Sequence, residues 1–165
     1  MENANIKIVE ILKKRGMTLA IAESLTGGLV SSAICGVPGA SEVLLEGVVS
    51  YTDESKITRL GVRRETIEIH TSVSSQTAAE MAEGIRKNLD ADIGISTTGV
   101  AGPGEADENG NPRGLVYVGL SSGNETSVSR HMIDGTRNAI REQAKDICLE
   151  RLYEILYEKE RKNND

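Results

Sequence analysis

The sequence predicts an α/β domain in which a mixed β-sheet lies between helices. In the first hundred residues, apolar runs typical of buried strands alternate with segments of helical periodicity, as in βαβ units with parallel strands. Two strand-like segments joined by a tight turn follow near residue 120 and indicate an antiparallel hairpin. The amino-acid composition also favours an α/β fold. Without Phe or Trp, the core must be built from aliphatic side chains, which favours layers of helices and strands.

The first half of the chain alternates between helix and strand. Residues 4–15 place apolar side chains at mostly helical spacing, and Gly16 follows as a C-terminal stop. The Gly-Val-Pro-Gly segment at 36–39 is a firm break. The predicted elements are a helix over 4–15, a strand over 17–22, a helix from about Ser24 to Cys35, a strand over 43–51 and a short helix over 56–60.

The second half adds one helix, one strand, the hairpin and a long terminal helix. Segment 63–70 fits neither a helix nor a strand clearly, and 102–113 is too polar to pack, which predicts a solvated loop or a lid over a nearby site. No repeat or linker divides the chain, so 1–165 is predicted to form a single domain. The predicted elements are a helix over 74–89, a strand over 93–98, the hairpin strands 115–120 and 126–133, and a helix from about 135.

Composition excludes several classes of function. The net charge is −6 and no basic stripe is present, which argues against nucleic-acid binding. No apolar run reaches ~18 residues and 1–14 lacks the apolar core of a signal peptide, so we expect a soluble, cytoplasmic protein without a membrane partner. Cys35 and Cys148 are isolated, so both are predicted to be small core side chains without a disulfide or a metal role.

Polar or glycine residues directly follow three of the predicted strands. These segments are 24–28, 50–56 and 97–103. Ligands of open α/β sheets bind at the carboxyl ends of the strands, where backbone N–H groups converge. If the three strands are neighbours with one direction, the three segments surround a single crevice.

Ser24 and Lys56 are the candidate nucleophile and base of this crevice. A serine hydroxyl is a weak nucleophile until a positioned base takes its proton, and a lysine kept neutral by burial can be that base. Tyr51 is a candidate to relay or orient the proton, and the turn at Thr98 and Gly99 would offer N–H groups to an oxyanion. Plainer interpretations stay open: Ser24 as a helix cap worth ~1 kcal/mol, Lys56 as a solvated lysine and Tyr51 as a half-buried strand end.

Two arginines mark the start of the terminal helix. Arg137 and Arg141 lie one turn apart there, and a helix N-terminus that carries arginines suits a phosphate or a carboxylate. The alternative is that both arginines pair with acidic neighbours.

Several segments together resemble one protein family. Their order and spacing are similar to those in the C-terminal domain of competence-damage-inducible CinA proteins, a family that includes nicotinamide mononucleotide deamidases. The resemblance extends from about residue 6 to residue 156. The segments that carry it are Ala22-Glu-Ser-Leu-Thr-Gly-Gly28, Pro38-Gly-Ala-Ser41, Gly47-Val-Val-Ser-Tyr51 with Lys56, Gly61-Val62, Val73-Ser74, Thr98-Gly-Val-Ala-Gly-Pro103 and Gly114-Leu-Val-Tyr-Val118.

The resemblance implies a three-layer α/β/α sandwich with a mixed, mostly parallel sheet. It implies an amidohydrolase of pyridine nucleotide salvage that converts nicotinamide mononucleotide and water into nicotinate mononucleotide and ammonia. It implies no metal or cofactor, and assembly as a homodimer or a higher homo-oligomer. The implied catalytic residues are Ser24, Lys56 and Tyr51, and the implied substrate contacts are Ser41, Thr98, Gly99 and Arg137.

The chain departs from the family pattern in two places. No segment of the sequence resembles the N-terminal domain of many relatives, and we therefore expect the stand-alone deamidase form. Gly135-Thr136-Arg137 replaces the Gly-Asp-Arg of some members. Two other functions are kept as alternatives: a non-catalytic nucleotide-binding or regulatory module of the same family, and a hydrolase of another small amide.

Overall fold

The structure is a computed structural model that describes residues 3–162, with the side chains of 3–158. The predicted order of helices and strands is confirmed, and segment 63–70 is helical. The elements are α1 (Ala4–Arg15), β1 (Leu19–Glu23), α2 (Leu29–Cys35), a 3-10 turn (Ala40–Glu42), β2 (Leu44–Val49), α3 (Asp53–Leu60), α4 (Arg64–His70), α5 (Ser75–Asn88), β3 (Ile93–Gly99), β4 (Leu115–Ser122), β5 (Glu125–Met132) and α6 (Arg137–Lys162).

The strands form one mixed sheet in the order β2-β1-β3-β4-β5. Strand β1 pairs in parallel with both β2 and β3, whereas β4 is antiparallel to β3 and β5 is antiparallel to β4. Two of the four strand pairs are parallel and two are antiparallel, so the sheet is mixed, as the resemblance implied. Because β1, β2 and β3 are neighbours that share a direction, the polar segments after them meet at one edge.

Helices cover both faces of the sheet. Leu19 and Ile21 of β1 pack in a core shared with α1, α2 and α6. Ala20 and Ala22, which alternate with them, point to the opposite face and pack with residues of α3 and α5. The arrangement is the expected three-layer α/β/α sandwich. No helix within residues 3–162 combines the length and the apolar character needed to cross a bilayer.

The prediction for the two cysteines is confirmed at one position and wrong at the other. Cys148 of α6 is fully buried in the core, and this burial raises the pKa of its thiol. Cys35 is exposed at the end of α2. The reason is helical geometry: α2 buries the face that carries Val30 and Ile34, and the residue after Ile34 lies about 100° further round the helix.

Candidate active site

A pocket of about 190 Å³ opens at the edge where β1, β2 and β3 end. The three polar segments predicted to surround one crevice all contribute to it. Six of the seven site residues named from the sequence lie in its wall. They are Ser24, Tyr51, Lys56, Thr98, Gly99 and Arg137.

Ser41 is the residue that the structure does not bring to the pocket. It is exposed in the 3-10 turn before β2. Leu19 N donates to Val43 O (2.7 Å), so this turn lies where β1 and β2 begin. The pocket lies where these strands end. Within the described chain, Ser41 therefore lies away from Ser24 and outside the pocket wall, and its expected role as a substrate contact stays a prediction.

Lys56 is buried, and its amine contacts Ser24 directly. Thr52 caps α3 by accepting the N–H of Ser55 (3.1 Å), which places Lys56 in the first turn, facing inward. Its side chain is 2% exposed. Its Nζ lies 3.2 Å from Ser24 Oγ and donates to the main-chain oxygens of Ser50 (3.0 Å) and Tyr51 (3.1 Å). The interpretation of Lys56 as a solvated lysine is wrong.

Burial lowers the pKa of the Lys56 amine from 10.5 to about 8. Loss of hydration disfavours the charged ammonium form, and the Asp53 carboxylate opposes this effect by favouring it. Desolvation is the larger influence. About a tenth of Lys56 is therefore neutral at pH 7 and about half at pH 8, and the neutral amine is the form that can accept a proton from Ser24.

Ser24 precedes α2 without capping it. The N-cap is Gly28, and the capping acceptor is the fully buried carboxylate of Glu23. This carboxylate accepts the N–H groups of Gly28 (3.0 Å), Val30 (3.1 Å) and Ser31 (2.8 Å), and the Ser31 hydroxyl at 2.6 Å. The cap interpretation of Ser24 is wrong, and its hydroxyl is left for Lys56. Sequence reasoning missed Glu23, because a carboxylate that ends an apolar run carries no capping signature of its own.

Four further hydrogen bonds hold the loop that carries Ser24. Ser24 N donates to Thr97 O (3.0 Å), and the hydroxyls of Thr26 and Thr97 are 2.7 Å apart in a buried pair. From α6, the Arg141 guanidinium donates to the carbonyl oxygens of Leu25 (2.9 Å) and Thr26 (3.2 Å). The backbone on both sides of the serine is thus tied to β3 and to α6.

The Tyr51 hydroxyl is not part of the Ser24–Lys56 contact. Tyr51 orients Lys56 through its main-chain carbonyl, whereas its hydroxyl accepts a hydrogen bond from Arg137 Nη2 at 3.0 Å. The Tyr51 side chain is 57% exposed, so it is a residue of the pocket mouth and not a half-buried strand end.

Arg137, the first residue of α6, spans the mouth of the pocket. Besides Tyr51, it donates to the carbonyl oxygen of Gly102 on the opposite rim. Within the described chain, neither Arg137 nor Arg141 contacts a carboxylate, so the predicted pairing with acidic neighbours is not observed. Two of the five guanidinium N–H groups of Arg137 account for these two bonds, which leaves donors for a bound ligand.

The N–H of Gly99 faces the pocket. Ser24 N binds Thr97 O on the β1 side of β3, whereas Val100 N donates to Leu115 O (2.9 Å) on the β4 side. Peptide groups alternate between the two sides of a strand, so Gly99 directs its N–H to the β1 side, beyond the end of β1. A Cβ at this position would meet Leu115 O at 2.5 Å, so only glycine fits.

The loop over 102–113 is ordered by Asp107 and fixed to the pocket wall. The Asp107 carboxylate accepts two bonds from Asn111, from its main-chain N (2.8 Å) and its Nδ2 (2.9 Å). Asn111 Nδ2 also donates to Thr71 Oγ1 (3.1 Å), and Asp107 lines the pocket. Nearby, the buried Thr98 hydroxyl donates to Ser72 O at 2.7 Å. Gly102 and Asp107 of this segment line the pocket, whereas most of its other residues are exposed, as expected for a solvated loop. Over residues 3–162, no group of three or more His, Cys, Asp or Glu side chains is arranged to hold a metal ion.

The fold and the pocket define a three-layer α/β protein with a buried Ser–Lys pair at the carboxyl edge of its parallel strands. The family model described as the CinA C-terminal domain matches residues 1–156. The chain belongs to this family, as the sequence motifs indicated.

Relatives and solved structures agree with this assignment. A CinA superfamily protein of Klebsiella pneumoniae superposes with a TM-score of 0.90 at 33% identity, covering 94% of this chain and 97% of that one. A competence or damage-inducible protein of Enterobacter asburiae gives 0.89 at 37% identity, over 93% and 96%. A CinA-like protein of Kosmotoga olearia is 46% identical over 144 residues, which are 87% of this chain and 34% of that protein. The chain spans about a third of the length of the curated relatives it matches.

Proposed function

We propose that this chain is an amidohydrolase that converts nicotinamide mononucleotide and water into nicotinate mononucleotide and ammonia. The observation that carries the proposal is the buried Lys56 amine, with its pKa lowered to about 8, lying 3.2 Å from Ser24 Oγ in the wall of a pocket. A strongly perturbed amine beside a hydroxyl in a cleft is the signature of an activated nucleophile. The resemblance to the CinA family supplies the substrate.

The surroundings of Lys56 suit a neutral base. An uncharged amine has two N–H donors and one lone pair. The carbonyl oxygens of Ser50 and Tyr51 accept the two N–H groups, so the lone pair is directed at the third neighbour, Ser24 Oγ. The hydroxyl proton of Ser24 then points at the amine, which is the geometry that proton transfer needs.

The proposed reaction has two halves. Lys56 takes the proton of Ser24 as Oγ attacks the carboxamide carbon, and the resulting ammonium gives this proton to the amino group, which leaves as ammonia when the C–N bond breaks. Lys56 next removes a proton from water as the water oxygen attacks the acyl ester. The Lys56 ammonium then returns this proton to Ser24 Oγ as the ester bond breaks and the carboxylic acid is released. The N–H of Gly99 is the donor we assign to the oxyanion of both tetrahedral intermediates. Arg137 at the mouth would meet the phosphate of the nucleotide.

Ammonia release from nicotinamide mononucleotide tests the proposal. We expect Ser24→Ala and Lys56→Met each to lower kcat by ~10³-fold or more, because the nucleophile and its base act as a unit. Ser75→Ala and Lys87→Met are matched controls on α5, where both side chains make exposed contacts, and should keep wild-type activity. Near-wild-type release by either site variant, with circular dichroism showing a folded chain, would contradict the proposal.

The same assay separates the alternatives. A panel of nicotinamide mononucleotide, nicotinamide riboside and free nicotinamide reports which part of the substrate is recognised. A nucleotide-dependent rise in Tm without ammonia release would indicate a non-catalytic binding module. Activity that depends on Ser24 but is higher with an unrelated small amide would indicate a different hydrolase.

A further inference from the structure

The Tyr51 ring is held in a fixed position at the pocket mouth. Its main-chain carbonyl accepts a hydrogen bond from the buried Lys56 amine (3.1 Å), and its hydroxyl accepts one from Arg137 (3.0 Å). Arg137 is itself attached to Gly102 on the opposite rim. Tyr51 is thus held at its main chain and at its hydroxyl, which limits the rotamers that its side chain can adopt.

More than half of the Tyr51 surface is nevertheless exposed. The other tyrosines of the chain have aromatic or apolar neighbours: Tyr117 packs in a small cluster with Val73, and Tyr153 and Tyr157 stack with a centroid distance of 5.8 Å. Tyr51 belongs to no apolar cluster of the described residues and is 57% exposed. An anchored ring that lines a pocket and belongs to a residue with more than half of its surface exposed can offer a π-face to a ligand.

We infer that the Tyr51 ring is a stacking platform for the aromatic ring of the substrate, and that this makes the site selective for amides of a flat, electron-poor or cationic heteroaromatic acid. The inference rests on the proposed amidase function. An electron-rich phenol attracts a cationic ring through its π-face as well as by contact area. The hydroxyl then acts only as the anchor to Arg137, and proton transfer runs directly between Ser24 and Lys56.

Binding measured without turnover tests the inference. Nicotinamide mononucleotide is titrated by calorimetry into Ser24→Ala and into the same variant carrying Tyr51→Phe or Tyr51→Leu. Both replacements remove the bond to Arg137, so the difference between them reports the ring alone. We expect Phe to bind within about threefold of the parent and Leu to bind roughly tenfold more weakly than Phe. Ser24→Ala with Tyr157→Leu is the control, since Tyr157 is another exposed tyrosine and lies outside the pocket.

Three results would overturn the inference. The first is equal affinity for the Phe and Leu variants, and the second is no binding to the parent variant. The third comes from chains that keep Ser24: a loss of kcat of ~10²-fold or more for Tyr51→Phe would make the hydroxyl a proton relay instead. Failure of the amidase proposal looks different. It is an absence of ammonia release by the wild-type chain, whatever the Ser24→Ala variants bind.

Discussion

At the residue scale, the proposed chemistry depends on Lys56, because two properties of this residue come from the same burial. Loss of water lowers the pKa of the amine to about 8 and makes it a usable base, and the same loss of water makes the charged form costly to fold. Three oxygen neighbours offset part of this cost. Lysine is suited to this role since its amine titrates when buried, which an arginine in the same place would not do.

The first residue-scale prediction concerns the pH dependence of the reaction. Lys56 must be neutral to accept the Ser24 proton, so we expect kcat/KM to rise with pH and to level off above about 8, where the amine has lost its proton. Measurement of ammonia release from pH 6 to pH 10 checks this. A rate that falls across this range, or one that is flat, would show that Lys56 is not the base.

The second residue-scale prediction concerns stability. The pKa of Lys56 is lower in the folded chain, about 8, than its ordinary 10.5, so the unfolded chain binds more protons between these values. The free energy of unfolding of the wild type, relative to Lys56→Met, should therefore increase from pH 8 to pH 10.5, by up to about 3 kcal/mol. Urea unfolding of the wild type and of Lys56→Met at several pH values measures this change. If the difference between their free energies of unfolding stayed constant with pH, the lowered pKa of Lys56 would be contradicted.

At the scale of elements, the loop between β1 and α2 determines the position of Ser24, the proposed nucleophile. Gly27 and Gly28 adopt positive φ values of 58° and 99°, which let the chain turn sharply after Ser24. The Glu23 carboxylate binds the first N–H groups of α2 from within the core, where an anion is stabilised by the helix N-terminus. Arg141 holds the outer side of the loop from α6.

Arg141 is predicted to be a positioning residue. Arg141→Met removes both bonds to the Leu25 and Thr26 carbonyls, and we expect kcat to fall about tenfold or more while KM changes less than threefold, because Ser24 loses its alignment and no ligand contact is lost. Arg141→Lys should restore part of the activity. Steady-state kinetics measures this, with Lys145→Met one turn later on α6 as the control. An increase in KM alone would instead place Arg141 against the substrate.

At the scale of the whole molecule, the two faces of the sheet differ in the size of their side chains. The face toward α1, α2 and α6 carries large aliphatic residues, whereas the face toward α5 carries small ones. A Cβ on Gly94 would lie 2.2 Å from Ala82 O, and one on Gly119 would lie 2.4 Å from Ala78 O. The backbone of α5 therefore rests almost directly on β3 and β4.

This close contact predicts a large effect of one methyl group. Gly119→Ala forces α5 away from the sheet, and we expect the free energy of unfolding to fall by roughly 2 kcal/mol or more. Gly36→Ala is the matched control. Gly36 has φ −67° and its nearest potential contact is 3.5 Å away, so alanine there should leave stability unchanged or raise it by about 0.5 kcal/mol. Urea titration compares them, and equal stabilities would contradict the packing described.

The sequence by itself determined the architecture and the approximate position of the site. Apolar periodicity is a local signal, and it was enough for the order of helices and strands and for the three polar segments after β1, β2 and β3. Its errors were also local. The start of α2 was placed at Ser24 because the cap comes from Glu23, which no spacing rule marks, and Cys35 was assigned to the wrong face of the same helix.

Only the tertiary structure decided what the polar residues do. The contact between Lys56 and Ser24 joins positions 32 residues apart, and the hydrogen bond from Arg141 to Leu25 O joins positions 116 residues apart. Ser41, close to Ser24 in the chain, lies at the opposite end of the strands. The pKa of an amine depends on the water it has lost and the charges around it, and these come from all elements that meet at the pocket. A pattern along the chain records which face of an element is apolar, but it does not record which distant groups that face will meet.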